Sequence, residues 1–150
     1  VTEISVAPLH VDRVLLGLRP EGFHDAFEEI AKALAEASGA APGSILAALR
    51  ERERTHSTAW GGGIAVPHAR VLGLSRSVVA VARLASPIEY GAPDGCPVDV
   101  LVFLLSPTDE PAEHLRLLAR LARRLRDSSV AAKLRAAGDD AAVRAALDAE

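Results

Sequence analysis

Cysteine occurs once, at position 96, so no disulfide can close within the chain and no cage of thiolates can hold a metal. Aromatic residues make up only 3% of the sequence and methionine is missing, which leaves alanine, leucine and valine to fill the core. No apolar run approaches the roughly 20 residues that span a bilayer. The opening VTEISVAPLHVDRVLL has no charged region leading into a long apolar one, so it does not read as a leader. Excess positive charge is lacking too. The formal net charge is −3, which argues against a nucleic-acid binder held by phosphate neutralisation. These absences predict a cytoplasmic protein without direct membrane insertion and without a nucleic-acid partner. The chain begins with Val1 rather than Met, as a processed or trimmed start would.

What is present suits an ordinary globular domain. Hydrophobic residues make up 49% and charged residues 25% of 150 positions, a length that predicts one domain over 1–150. There is no internal repeat and no long linker.

FHDAFEEIAKALAEAS places Phe23, Phe27, Ile30, Ala31 and Leu34 at helical spacing, and Gly39 is placed to end that helix. ILAALRERER follows as a second helix, with Ser44 as its expected cap. THSTAWGGG reads as a loop and GIAVPH as a short strand ending at His68. SVVAVARLA, residues 77–85, is rich in β-branched residues and predicts a strand. VDVLVFLLS, residues 98–106, is apolar at nearly every position, which predicts a central strand covered on both faces. Helix 112–126 is expected to be capped by Thr108 or Asp109 and to bury a stripe of Leu115, Leu118, Ala119, Ala122 and Leu125. SVAAKLRAAGDDAAVRAALDAE predicts two short helices broken at GDD. Helices flanking short strands give an α/β fold, a three-layer α/β/α sandwich with a mixed central sheet.

The densest signal is GGGIAVPHAR, from Gly61 to Arg70. Glycine frees the backbone, whereas Pro67 fixes its own φ and drives Val66 toward extended geometry. The backbone around His68 is thus closely specified. A neutral imidazole can attack phosphorus if one nitrogen is exposed, the other is held by a hydrogen bond, and donors await the phosphoryl oxygens. A backbone carbonyl could hold the second nitrogen. Ser57 and Thr58 can donate from their hydroxyls, Arg52 supplies a fixed positive charge, and His114 lies in the first turn of its helix, where an anion is favoured. The Gly61–Gly63 run can leave room beside the ring. Each feature also has a plainer reading: a glycine-rich turn, solvated charges at Arg52 and Glu53, a histidine packed at a helix start.

RERERTHSTAWGGGIAVPHAR resembles the active-site segment of the type-2 enzyme IIA domains of the phosphoenolpyruvate-dependent phosphotransferase system (PTS), the fructose, mannitol and nitrogen-related family. ASPIEYGAPDGCPVDVLVFLLSP, EHLRLLARLARRLRD and KLRAAGDDAAVRAAL extend the likeness from about residue 10 to the end. The pattern is most similar to the nitrogen-regulatory type. The resemblance implies a phosphocarrier in which His68 accepts a phosphoryl group from HPr or its nitrogen-related counterpart. It implies that His114 stabilises the phosphate, with Arg52, Ser57 and Thr58 in support and no metal or other cofactor. The downstream partner would be an enzyme IIB cysteine or a regulatory target protein. Ala59 and Trp60 depart from the glycine-rich pattern after the Ser-Thr pair, and Trp60 and Leu72 are expected to form an apolar rim for docking.

Rival readings are a regulatory binding module that keeps the fold without phosphoryl transfer, a zinc hydrolase using His56, His68 and His114, and a cysteine enzyme at Cys96. Zinc ligands are usually closely spaced, and these histidines are not. A lone cysteine in a turn entering a strand reads as inert.

Overall fold

A computed structural model describes residues 9–148. Ala149 and Glu150, the end of the last helical stretch, lie outside the described residues, as do residues 1–8 of the opening. The elements run β1 (Arg13–Leu18), α1 (Phe23–Ser38), α2 (Pro42–Thr55), β2 (Ala59–Gly61), β3 (Ile64–Ala65), β4 (His68–Val71), β5 (Val78–Ile88), β6 (Val98–Pro107), α3 (Pro111–Arg126), α4 (Ser128–Ala136) and α5 (Asp140–Asp148).

The sheet order is β1-β5-β6-β3-β2, with β4 also paired to β6. β6 is antiparallel to β5 and parallel to β3 and β4, so the sheet is mixed. Its side chains alternate between two cores. Leu101, Phe103 and Leu105 pack with Phe27, Leu34, Ile45 and Leu49 of α1 and α2. Val100, Val102 and Leu104 pack with Leu121, Leu134 and Leu147 of α3, α4 and α5. Both faces of the strand are covered, hence its nearly unbroken apolar sequence. This is the three-layer α/β/α sandwich.

Local differences from the sequence reading have physical causes. Strand β1 was not foreseen, and five of its six residues, all but exposed Gly17, are only half-buried. GIAVPH is not one strand: β3 ends at Ala65, and His68 opens β4 instead of closing β3. The expected loop 55–63 contains β2, and β5 runs on to Ile88 through the stretch read as turns. Helix α2 starts at Pro42 behind Ala41, so Ser44 lies inside the helix and does not cap it. Helix α3 starts behind Glu110 without a side-chain cap, displacing both Thr108 and Asp109 from that role. Gly39 does end α1, with φ 78 and its N–H donated to the Ala35 carbonyl.

The α3 stripe is turned by about one position. His114, Leu121 and Leu125 are buried, whereas Leu115 is 66% exposed. Hydropathy does not count a histidine as core, and His114 occupies a core-facing position here.

Candidate active site

β3 and β4 lie end to end along the same side of β6, separated by Val66 and Pro67. The break is hydrogen-bonded on both sides. Val66 donates its N–H to the Thr58 carbonyl at 2.9 Å, and the Pro67 carbonyl accepts from the Leu104 N–H at 3.0 Å. His68 follows directly, and its ring turns back so that Nδ1 meets the Val66 carbonyl at 2.7 Å. A carbonyl can only accept, so Nδ1 carries the proton and Nε2 of the neutral ring presents its lone pair. The backbone carbonyl anticipated from sequence is therefore that of Val66.

Alternation along β3 and β4 puts Ala65, Ala69 and Val71 in the core beneath α1 and α2, and Ile64 and Val66 in the other. His68 and Arg70 consequently share the α3 side of the strand. There the His114 ring lies 5.8 Å from the His68 ring, centroid to centroid. His114 is 8% exposed, and its Nδ1 meets Ser106 Oγ at 2.8 Å. Ser106, fully buried in β6, accepts a hydrogen bond from Ser77 Oγ at 3.0 Å. The His114 backbone N–H is already donated to the Glu110 carbonyl, so it is the ring and not that amide which is available to an anion.

Both imidazoles resist protonation. Burial pushes His114 down to about 4, with His68, Arg70 and Arg52 adding to the effect. Burial also lowers His68, aided by Arg52 and opposed by the Val66 hydrogen bond and Glu53. Near neutral pH the pair is uncharged while guanidinium groups surround it.

The two histidines open into a cleft of about 690 Å³, bordered by Arg52 from the last turn of α2, Arg70 from β4, and Leu115 and Leu118 from α3. Arg52 donates from Nη1 to the His56 carbonyl at 2.9 Å, closing the end of α2. Arg70 was not singled out from sequence. Its spacing of two from His68 on a strand was the signal that could have found it.

Ser57 and Thr58 do not line this cleft. Ser57 Oγ accepts the Ala59 N–H at 3.2 Å. Thr58 is buried, and its hydroxyl and N–H go to Glu53 Oε1 and Oε2 at 2.6 and 2.7 Å. Tyr90 donates to the same Oε1 at 2.8 Å. Thr58 thus braces the turn after α2 from within. Half-buried Glu53 and buried Tyr90 form a support that the sequence reading missed.

Gly61, Gly62 and Gly63 have φ of 100, 65 and 82 and form the β2–β3 turn. They do not flank the His68 ring. Gly61, Gly62 and Trp60 border a separate hollow of about 630 Å³ between the hairpin and the ends of α3 and α4. Ala59 and Trp60 have no positive φ, so the hairpin accepts the departure from glycine without strain there. Trp60 lies off the His68 cleft, whose apolar border is instead formed by Leu115 and Leu118; Leu72 is exposed beyond β4 and does not line it either. Cys96 is exposed rather than packed in the core. Among the described residues, no three His, Cys, Asp or Glu side chains are grouped to hold a metal ion, and no helix is long and apolar enough to cross a membrane.

Residues 8–150 match the family described as phosphoenolpyruvate-dependent sugar phosphotransferase system, EIIA 2. The chain is 38% identical over 142 residues to a nitrogen regulatory protein of Bradyrhizobium diazoefficiens, covering 95% of this chain and 91% of the relative. Nitrogen regulatory protein IIA-Ntr from Neisseria meningitidis superposes with a TM-score of 0.84 at 32% identity, covering 91% of this chain and 92% of that one. Escherichia coli enzyme IIA for mannitol, solved in complex with phosphorylated enzyme IIB, has a TM-score of 0.78 at 19% identity, covering 95% and 98%, and shares the fold.

Proposed function

The chain belongs to the EIIA 2 family of the phosphoenolpyruvate-dependent sugar phosphotransferase system, and from that premise we propose that it is a phosphocarrier with His68 as the phosphoryl acceptor. Residues 1–150 are read as one such domain. The observation that carries the assignment is the Nδ1–Val66 carbonyl bond, which leaves Nε2 as the free nucleophile.

The donor is a phosphohistidine of an HPr-type carrier, either the sugar or the nitrogen-related one. His68 Nε2 attacks phosphorus in line with the donor N–P bond. The new Nε2–P bond forms as the old one breaks, and the donor imidazole leaves with the bonding pair. His68 keeps its Nδ1 proton on Val66 throughout. There is little further covalent work, so catalysis consists of positioning and charge stabilisation. Arg52 and Arg70 offset the phosphoryl charge, and His114 faces the group from across the cleft. Ser57 stays off the cleft, its Oγ accepting the Ala59 N–H, while Thr58 acts through Glu53 to hold the turn.

Relatives named nitrogen regulatory protein match most of the chain, and this favours a regulatory use of the phosphoryl group. A phosphate near −2 charge beside Leu115 and Leu118 would change what protein docks there. Transfer to an enzyme IIB domain is the other use; a neighbour of the same fold is described in complex with one. Incubation with phosphoenolpyruvate, enzyme I and an HPr-type carrier, followed by intact-mass spectrometry, tests the proposal. A gain of about 80 Da, absent in His68→Ala, is expected. No gain with a carrier that phosphorylates a control domain would leave the non-transferring binding module.

A further inference from the structure

The geometry points to Ser106 and Ser77 as positioning residues that fix the neutral His114 proton on Nε2, the nitrogen facing the cleft. The use made of that proton rests on the phosphocarrier reading above; its location does not.

The inference starts from the sheet register. β5 and β6 are antiparallel with Val78 opposite Leu105, so Ser77 falls across from Ser106. Ser77 donates its hydroxyl proton to Ser106 Oγ at 3.0 Å. Ser106 has one proton of its own and is fully buried, so that proton has no water to reach. The acceptor on its other side is His114 Nδ1 at 2.8 Å. Two hydroxyls in series thus end on an imidazole nitrogen that must accept. A neutral imidazole has a single N–H, which is then on Nε2. Burial and the neighbouring guanidinium groups keep the ring neutral.

The two histidines are therefore set in opposite senses. The Val66 carbonyl makes His68 Nε2 a lone pair; the serine pair makes His114 Nε2 a donor. A phosphoryl group on His68 would meet an N–H across the 5.8 Å between the rings. The opposite His114 tautomer would turn a second lone pair toward the phosphoryl oxygens and repel them. Serine within an apolar strand is costly unless satisfied, and here it is satisfied by orienting a histidine.

The test is long-range proton–nitrogen NMR of the 15N-labelled protein near pH 7, with no donor present, together with phosphoryl uptake assays. Wild-type His114 is expected with Nδ1 unprotonated and Nε2 protonated. Ser106→Ala is expected to populate the Nδ1–H tautomer and slow uptake at least about tenfold. Ser77→Ala should shift the tautomer partly in the same direction, and Ser77→Thr should restore it. A wild-type His114 protonated on Nδ1 would overturn the proposal, as would an unchanged tautomer in both alanine variants. Unchanged uptake in a variant whose tautomer has shifted would overturn the positioning role. If Ser106→Ala fails to fold, the wild-type spectrum and the Ser77 pair still decide. Absence of uptake in every protein, wild type included, would count against the phosphocarrier reading, while the tautomer is read independently.

Discussion

His68 and His114 face each other at 5.8 Å from different elements, and each is tied at Nδ1 to a different kind of partner. His68 meets a carbonyl, which only accepts; His114 meets a hydroxyl, which can donate. Two chemically identical side chains are thereby given unlike Nε2 atoms.

Acid should destabilise the fold through these rings. An unfolded histidine takes up a proton near pH 6.5, whereas folded His114 does so only near 4. Between those values the unfolded chain binds more protons, so stability falls as pH falls. His68, also lowered, contributes with the same sign. Urea midpoints measured between pH 7 and 4.5 should decline, and His114→Gln should flatten the decline relative to wild type. Identical slopes in the two proteins would refute this.

Arg70 tests the electrostatics without disturbing the core. It is exposed on β4, lines the cleft and helps hold the His114 pKa down. Arg70→Gln should raise the His114 titration midpoint in an NMR pH series. It should also slow phosphoryl uptake by about tenfold or more, as loss of one charge-stabilising group does. Urea stability near pH 7 should change by less than about 0.5 kcal/mol.

The Glu53 support should matter for stability first. Thr58→Val removes a hydroxyl from a carboxylate that receives three donors, and should cost about 1–3 kcal/mol in urea unfolding. Tyr90, the chain's single tyrosine, is pushed well above its ordinary pKa by burial and by Glu53. Its ultraviolet absorbance should show no phenolate at pH 10, where a free tyrosine is half ionised. Ionisation at that pH would mean the network is open to water.

At Gly63 the backbone has φ +82, and an added Cβ would lie 2.7 Å from Arg135 Nη2, 3.1 Å from Asp99 Oδ1 and 3.3 Å from the Pro97 carbonyl. Gly63→Ala should therefore lose about 1–3 kcal/mol, measured by urea unfolding. Gly62→Ala, with nothing within 4 Å, should lose less despite its positive φ.

Where a residue's environment is local, the sequence was legible. Helix α1 followed from periodicity to its ends at Phe23 and Ser38, and β6 from an apolar run that only a doubly covered strand can use. The motif around His68 pointed to the residue proposed here as the acceptor, and the structure sets His68 beside His114 in one cleft. What escaped depended on contacts distant in sequence. Ser106 looks like the polar end of a strand until β5 brings Ser77 to one side and α3 brings His114 to the other. Thr58 looks like a free hydroxyl until Glu53 and Tyr90 close on it. The α3 stripe was misjudged by one position because a buried histidine does not register as apolar. Leu115, counted as core, borders the cleft instead.

The most direct test of the central claim is the site of phosphorus attachment. Phosphorylated, 15N-labelled protein should show nitrogen–phosphorus coupling at Nε2 of His68, with Nδ1 still protonated on the Val66 carbonyl. Coupling at Nδ1 of His68, or at either nitrogen of His114, would contradict the account.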